Sequence, residues 1–337
     1  MRPFTYETAT DAPEAVRAAA ASADAHVRAP VQLIGGGTTL LDLMKLDVMR
    51  PERLVDVTPL YARFGRIEAT PQGLRLGALV RMSEAAEHPA IARDYPVVAQ
   101  SLAQAASAQL RNMARLGGNV LQRTRCNYFR DPSYSQCNKR DPGSGCAAID
   151  GFNRLHAVLG TSEACIAHYS GDFAQALIAL DATVEVLGRQ GPRAIAFADL
   201  HRLPGRTPHI ETTLEPGELI TGFVVPAGQW TRRSTYLKVR DRESYAFALA
   251  SAAVALDMDG DTVRHARIAL GGVATVPWRA REAEALLAGR TLDEAAATEA
   301  GRAAFAHAVV HQNNAYKVPL GQATVARALL AAQAMRL

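Results

Sequence analysis

The stretch LIGGGTTL, residues 33–40, decides the fold. Apolar residues lead into it, three consecutive glycines and two threonines follow, and then LLDLMK resumes a helical spacing. Read as strand, glycine turn and helix, the segment folds the backbone tightly and exposes several N–H groups. Thr38 and Thr39 add hydroxyls beside Gly35, Gly36 and Gly37, with Leu33, Ile34 and Leu40 flanking. A nest of N–H groups suits a diphosphate. The segment has no Gly-Lys-Ser/Thr and no G-x-G-x-x-G spacing, so it is neither of the common phosphate loops. Taken alone, a plain tight turn explains it equally well.

Outward from this turn the chain reads as mixed helices and strands. Residues 12–23 are spaced as an amphipathic helix, and PERLVDVT supplies a second strand after the glycine turn. Residues 65–80 alternate around Gly73 and predict a hairpin. Residues 82–92 and 94–112 read as helices, with Ser83 at the first N-cap. Asp172 stands where it can cap the apolar helix FAQALIALDA, and β-type runs follow at Thr183–Leu187 and Leu219–Pro226. From Ser234 the pattern changes: STYLKVR alternates, and residues 246–257 and 262–273 form two long β-type runs joined at Asp259–Gly260, a strong hairpin signal. After Pro277 the chain is Ala-rich and helix-forming. The expectation is an α+β chain with domains at 1–228 and 229–337, divided near PAGQ.

Bulk composition removes several classes. The chain has 337 residues, 48% hydrophobic, with 37 basic against 33 acidic residues. The excess is small and dispersed, so no nucleic-acid partner is expected. No run approaches the roughly 20 apolar residues of a membrane span, and the N-terminus has no apolar signal core. Four cysteines in a chain this long do not make a disulfide scaffold.

A second glycine site lies in SAQLRNMARLGGNV, residues 107–120. Gly117 and Gly118 allow close approach of a ligand and Asn119 offers an amide, although a helix C-cap is the commoner use of such glycines. Together, IGGGTTL and RNxAxxGGN resemble the flavoprotein subunits and domains of the molybdenum hydroxylase family. Further likeness runs along nearly the whole chain, in PFTYETATDAPEAV, GDFAQALIALDATVEV and STYLKVRDRESYAFALASAAVAL. The resemblance implies an FAD domain of the vanillyl-alcohol-oxidase (PCMH) type. A smaller α+β domain, like the C-terminal domain of carbon monoxide dehydrogenase flavoprotein, would follow it. It implies FAD contacts at Leu33–Leu40, at Ser107, at Gly117, Gly118 and Asn119, and at Asp172. Lys238 would lie near the flavin ring, and Ile166, His168 and Ile220 would line the site. On the residues alone, Asp172 is as well read as an N-cap, Lys238 as a solvated edge charge and Ile220 as core.

Between the Gly-Gly-Asn turn and Asp172, residues 122–167 hold all four cysteines, Cys126, Cys137, Cys146 and Cys165, spaced C-x10-C-x8-C-x18-C. Four thiolates can hold a [4Fe–4S] cluster or tetrahedral zinc, and two disulfides remain open. His156 and His168 are alternative ligands nearby, although four cysteines already complete the count. The resemblance favours [4Fe–4S], because CNKRDPGSGCAAIDGFNRLHAVLGTSEAC looks like the insert of FAD subunits from periplasmic aldehyde oxidoreductases. Arg123, Arg125, Arg130, Lys139 and Arg140 would then offset the negative charge of the centre.

The resemblance further implies no catalytic residue for substrate oxidation in this chain. A large molybdenum-cofactor subunit would oxidise an aldehyde, or alternatively an aryl-CoA or N-heterocycle. A small [2Fe–2S] subunit would relay electrons, and FAD here would pass them to an external acceptor. Residence would be periplasmic by co-export with a signal-bearing partner, or else cytoplasmic. The contrasting alternative is a zinc-stapled scaffold without flavin.

Overall fold

The computed structural model describes residues 1–20 and 28–336. Three sheets organise them. Strands β1 (Thr5–Thr8), β2 (Val31–Ile34) and β3 (Arg53–Asp56) form a parallel sheet in the order β1-β3-β2. Parallel neighbours need crossovers, and helices supply them: Ala12–Ala19 between β1 and β2, Leu40–Lys45 between β2 and β3. The first helix buries Ala12, Ala15, Val16 and Ala19, one face at i, i+3, i+4 and i+7, and Asp11 caps it by accepting from Glu14 N at 2.7 Å. The sequence places this helix over 12–23, of which residues 21–23 lie outside the described residues.

Strands β4 (Ile67–Thr70), β5 (Gly73–Gly77), β6 (Thr183–Gly188), β7 (Gly191–Ala196) and β8 (Leu219–Pro226) make an antiparallel sheet in the order β4-β5-β8-β6-β7. The hairpin turns at Gly73, whose φ of +152° and close approach to the Val225 carbonyl admit no side chain. The two helices read over 82–92 and 94–112 are in fact four: Met82–Glu87, Pro89–Asp94, Pro96–Ala103 and Ala108–Met113. Pro89 and Pro96 start new helices and force the residues before them, His88 and Tyr95, out of helical geometry. Ala106 at φ 49° breaks the third, and Ser107 caps the fourth by accepting from Leu110 N. Arg81, not Ser83, holds the first N-cap position, where its N–H donates to the Glu84 carboxylate at 2.8 Å.

Strands β9 (Ser234–Val239), β10 (Ala250–Asp259), β11 (Thr262–Gly271) and β12 (Trp278–Arg279) complete an antiparallel sheet in the order β12-β11-β10-β9. Gly260, at φ 57°, turns the β10–β11 hairpin. Both faces of β10 are buried. Ala252, Val254 and Leu256 pack into the core under the helices Arg281–Leu287, Glu294–Ala303 and Lys317–Gln333. Ala253 and Ala255 join the core of the first 228 residues, with the helices Pro96–Ala103 and Phe173–Ala179. Small side chains on that second face let two helices lie close on the sheet. The alanine richness of ASAAVAL therefore records a packed interface as well as a strand.

Candidate functional site

The glycine turn, the Gly-Gly-Asn segment and strand β8 enclose a cavity of about 330 Å3. All eight residues 33–40 line it, together with Gly117, Gly118, Asn119, His168 and Ile220. Each glycine has its own reason. A Cβ on Gly36 would lie 1.9 Å from the Met113 carbonyl oxygen, so the turn is seated on the end of the helix that Ser107 starts. Gly37 has φ +71°. A Cβ on Gly118 would meet no atom within 4 Å, so that position leaves room beside the cavity. The Gly-Gly-Asn segment is not a helix C-cap: it forms the short helix Leu116–Val120, which follows Arg115 in extended geometry.

Several polar atoms in the cavity wall are buried without a hydrogen-bond partner, Asn119 Oδ1, His168 Nδ1, His201 Nδ1 and Arg115 Nε among them. Asn119 directs its Nδ2 to Met82 Sδ at 3.3 Å, and His168 Nε2 meets Ser170 Oγ at 3.1 Å. Burial pushes the His168 pKa well down, so its ring is neutral at pH 7. Buried orphan groups of this kind mark places where a ligand completes the hydrogen bonding. An elongated ligand with a diphosphate and polar ring edges fits this wall.

Four of the sequence-expected residues stand outside the cavity wall. Ser107 caps the helix that supports the glycine turn. Ile166 is fully buried among the cysteines. Asp172 stands at the N-cap position of the helix Phe173–Ala179 but makes no capping bond. Its carboxylate instead accepts from Tyr236 OH at 2.6 Å and Lys238 Nζ at 2.8 Å, and Lys238 also donates to the Gln104 carbonyl at 3.0 Å. Lys238 is therefore no solvated edge charge: the pair is almost completely buried, 1% and 5% exposed. Burial raises the Asp172 pKa, and Lys238 and Tyr236 oppose that rise. The network clamps the second domain to the first. Lys238→Met leaves a buried carboxylate unpaired and is expected to cost about 3–5 kcal/mol, read by chemical unfolding. A loss below about 1 kcal/mol, the range of exposed pairs, would return Lys238 to a surface role.

The cavity also uses residues that sequence reading did not single out: Arg115, Val120–Gln122, His201, Glu211, Thr212 and Leu214–Leu219. The only local signal among them is the Glu215–Pro216–Gly217 turn. The rest are brought in by strand pairing over long sequence distances.

Beside the cavity the insert folds around its cysteines. Cys137 and Cys146 pair as opposed residues of a short antiparallel bridge. Asn138 accepts from Gly143 N and Gly145 N and donates to the Ala164 carbonyl, which ties that bridge to the Cys165 turn. All four thiols are free and join one core cluster with Phe129, Ala148 and Ile166. Cys165 and Cys146 hydrogen-bond to each other, and Cys126 and Cys137 lie within electrostatic reach of Cys165. Backbone N–H groups converge on the sulfurs: Tyr128 and Phe129 on Cys126, Lys139 and Arg140 on Cys137, Ala148 and Ile166 on Cys146, Ala167 on Cys165. Burial pushes the Cys126 thiol up to about 12, while donation from Cys165 pulls Cys146 down to about 7. His156 Nε2 lies 3.1 Å from Cys126 Sγ, and burial with Lys317 nearby pushes His156 down to about 4. Among the described residues no three His, Cys, Asp or Glu side chains close around one point as a single metal ion requires.

The basic residues of the insert do not face the sulfurs as free charges. Arg125 and Arg130 both pair with Asp42, at 2.9 and 2.8 Å, which fastens the insert to the helix after the glycine turn. Arg140 donates to the carbonyls of Tyr128, Phe129, Asp131 and Tyr134. Arg123 and Lys139 pair with Glu211, at 2.5 and 2.8 Å. Their first effect is to hold the loop in place.

Glu211 gives a pH prediction. Burial alone would raise its pKa, but Arg123 and Lys139 outweigh burial and hold it at about 2. A folded pKa below the ordinary 4.5 contributes stability that is present above 4.5 and lost as pH falls toward 2. The free energy of unfolding measured between pH 5 and 2 should fall more steeply for the native chain than for Glu211→Gln. Equal slopes would contradict the pairing.

The FAD binding domain in molybdopterin dehydrogenase matches residues 2–228, and the CO dehydrogenase flavoprotein C-terminal domain matches residues 235–332. The aldehyde oxidoreductase FAD-binding subunit of Escherichia coli (strain K12) is 46% identical over 337 residues, covering 99% of each chain. The carbon monoxide dehydrogenase medium chain of Afipia carboxidovorans is 27% identical, covering 79% of this chain and 75% of its own. A solved carbon monoxide dehydrogenase from Hydrogenophaga pseudoflava superposes with a TM-score of 0.76 at 25% identity, covering 99% and 98%. These matches remove the flavin-free scaffold alternative. The chain belongs to the FAD-binding subunits of the molybdenum hydroxylase family of oxidoreductases.

Proposed function

We propose that this chain is the FAD- and [4Fe–4S]-carrying electron-transfer subunit of a heterotrimeric, molybdenum-dependent aldehyde oxidoreductase. It would receive electrons from a small [2Fe–2S] subunit and release them to an external acceptor. One observation carries the reading. Four cysteines spread over some forty residues converge beside the FAD cavity, unpaired, with backbone N–H groups on every sulfur. Four free thiols collected in one insert and lined with N–H donors match the ligand count and the hydrogen bonding to sulfur of such a cluster.

Bound FAD supplies the capacity to take up and pass on electrons. The chain's own residues do the holding. The N–H groups of Gly35–Thr39 and the threonine hydroxyls receive the diphosphate, Asn119 and His168 offer their orphan atoms, and Ile220 packs against the ligand. Aldehyde is preferred over an aryl-CoA or N-heterocycle because of the 46% identity to an aldehyde oxidoreductase subunit. The complex is assigned to the periplasm, carried out folded by a partner with a twin-arginine signal. Cell fractionation that leaves the assembled complex in the cytoplasm would overturn that assignment.

The functional test compares the co-expressed complex with and without this chain. With it, benzaldehyde should drive reduction of a soluble dye acceptor. Without it, molybdenum- and [2Fe–2S]-containing partners should still be reduced by the aldehyde, but turnover to acceptors that draw on the flavin should vanish. Undiminished turnover to every acceptor would place the exit route elsewhere.

A further inference from the structure

His156 is the side chain within hydrogen-bonding distance of a cysteine sulfur whose position is built by the other domain. Its ring is 3% exposed, its Nε2 is 3.1 Å from Cys126 Sγ, and Tyr128 lies beside it with ring centroids 6.1 Å apart. The backbone on either side of it is gripped by the segment 313–317. Asn153 and Asn313 bond reciprocally, N–H to Oδ1, at 3.3 and 2.9 Å. Tyr316 OH donates to the Arg154 carbonyl, Lys317 Nζ to the Leu155 carbonyl and Asn314 Nδ2 to the Ala157 carbonyl, at 3.1, 2.9 and 3.0 Å. Every residue from 153 to 157 except His156 itself is tied to the C-terminal domain. The histidine is left free to direct its ring inward.

We infer that His156 is a positioning residue that tunes the cysteine-bound cluster, by donating Nε2–H to the thiolate of Cys126 in a geometry fixed by the 313–317 clamp. The inference rests on the [4Fe–4S] reading above. A ligating thiolate can only accept, so the partner assigns the proton to Nε2. The more reduced cluster carries more negative charge on its sulfurs, so a donor stabilises it more and raises the reduction potential. The other donors to the sulfurs are backbone N–H groups and cannot be changed without moving the chain. His156 is therefore the side-chain hydrogen-bond donor through which a substitution can shift the potential.

The test is an EPR-monitored redox titration of the assembled complex, with iron and acid-labile sulfide measured on each sample and the partner [2Fe–2S] signals subtracted. His156→Phe should keep its iron, and its cluster potential should fall, lowering the reduced-to-oxidised ratio at fixed potential about tenfold (~59 mV for one electron). His156→Gln, which keeps an N–H donor, should recover part of the shift. Native iron with an unshifted potential in His156→Phe overturns the inference and leaves the cluster reading intact. Loss of iron in both variants also overturns it, making His156 a structural support. A native complex with no [4Fe–4S] signal would mean that the cluster reading itself has failed.

Discussion

Gly36→Val is expected to reduce bound FAD at least tenfold per copy, read by absorbance after release of the flavin. The cause is a contact within the protein: the new Cβ would fall 1.9 Å from the Met113 carbonyl oxygen, a backbone atom that cannot step aside alone. The turn must lift off the helix Ala108–Met113, and the N–H nest opens with it. Overpacking commonly costs about 1–3 kcal/mol, and about 1.4 kcal/mol already gives a factor of ten in binding. Gly118→Ala is the informative contrast, since its Cβ meets nothing within 4 Å. It should fold normally and weaken FAD only if the ligand fills that space. Normal flavin content in Gly36→Val would remove the glycine turn from the site.

Cys137→Ser is expected to lose close to four iron and four sulfide per copy while keeping FAD. Cys137 is buried, its sulfur receives two backbone N–H groups, and its partner across the bridge is Cys146. A serine there keeps the shape but offers a poor iron ligand. The insert should loosen as well, because the cluster would link its Cys126, Cys137–Cys146 and Cys165 turns. Limited proteolysis between residues 131 and 146 should quicken accordingly. Retained iron in this variant would mean that the cysteines hold no cluster.

The parts of this fold set by short-range rules were open to sequence reading. The glycine turn between β2 and its helix, the Gly73 hairpin and the Asp259–Gly260 hairpin all depend on residues within a few positions of one another, and the structure has each of them. Local breaks were harder. Pro89 and Pro96 could have announced the division of the long helical run, but the left-handed Ala106 is imposed by packing and leaves no mark in the sequence. Strand β7, GPRAIA, was missed because it is an edge strand with a proline and little apolar alternation.

The site divides the same way. The cysteines announced themselves by number and by their confinement to one insert. What holds them did not. Asp42 and Glu211, which fasten the insert, stand more than seventy residues from some of their partners, and neither has a local signal. The resemblance puts Asp172 among the FAD contacts and Lys238 near the flavin ring, but only the tertiary structure shows that they bind each other. His156 reads from sequence as an alternative ligand, and its approach to Cys126 depends on contacts with residues 313–317 in the other domain.

The most direct test of the central claim is a cofactor count on the complex purified under argon. FAD, iron, acid-labile sulfide and zinc are measured per copy of this chain, with iron and sulfide corrected for the [2Fe–2S] partner. The account predicts one FAD with about four additional iron and four additional sulfide, and no zinc. One FAD with zinc, or with no metal, would contradict the cluster and reduce the cysteine insert to a structural loop.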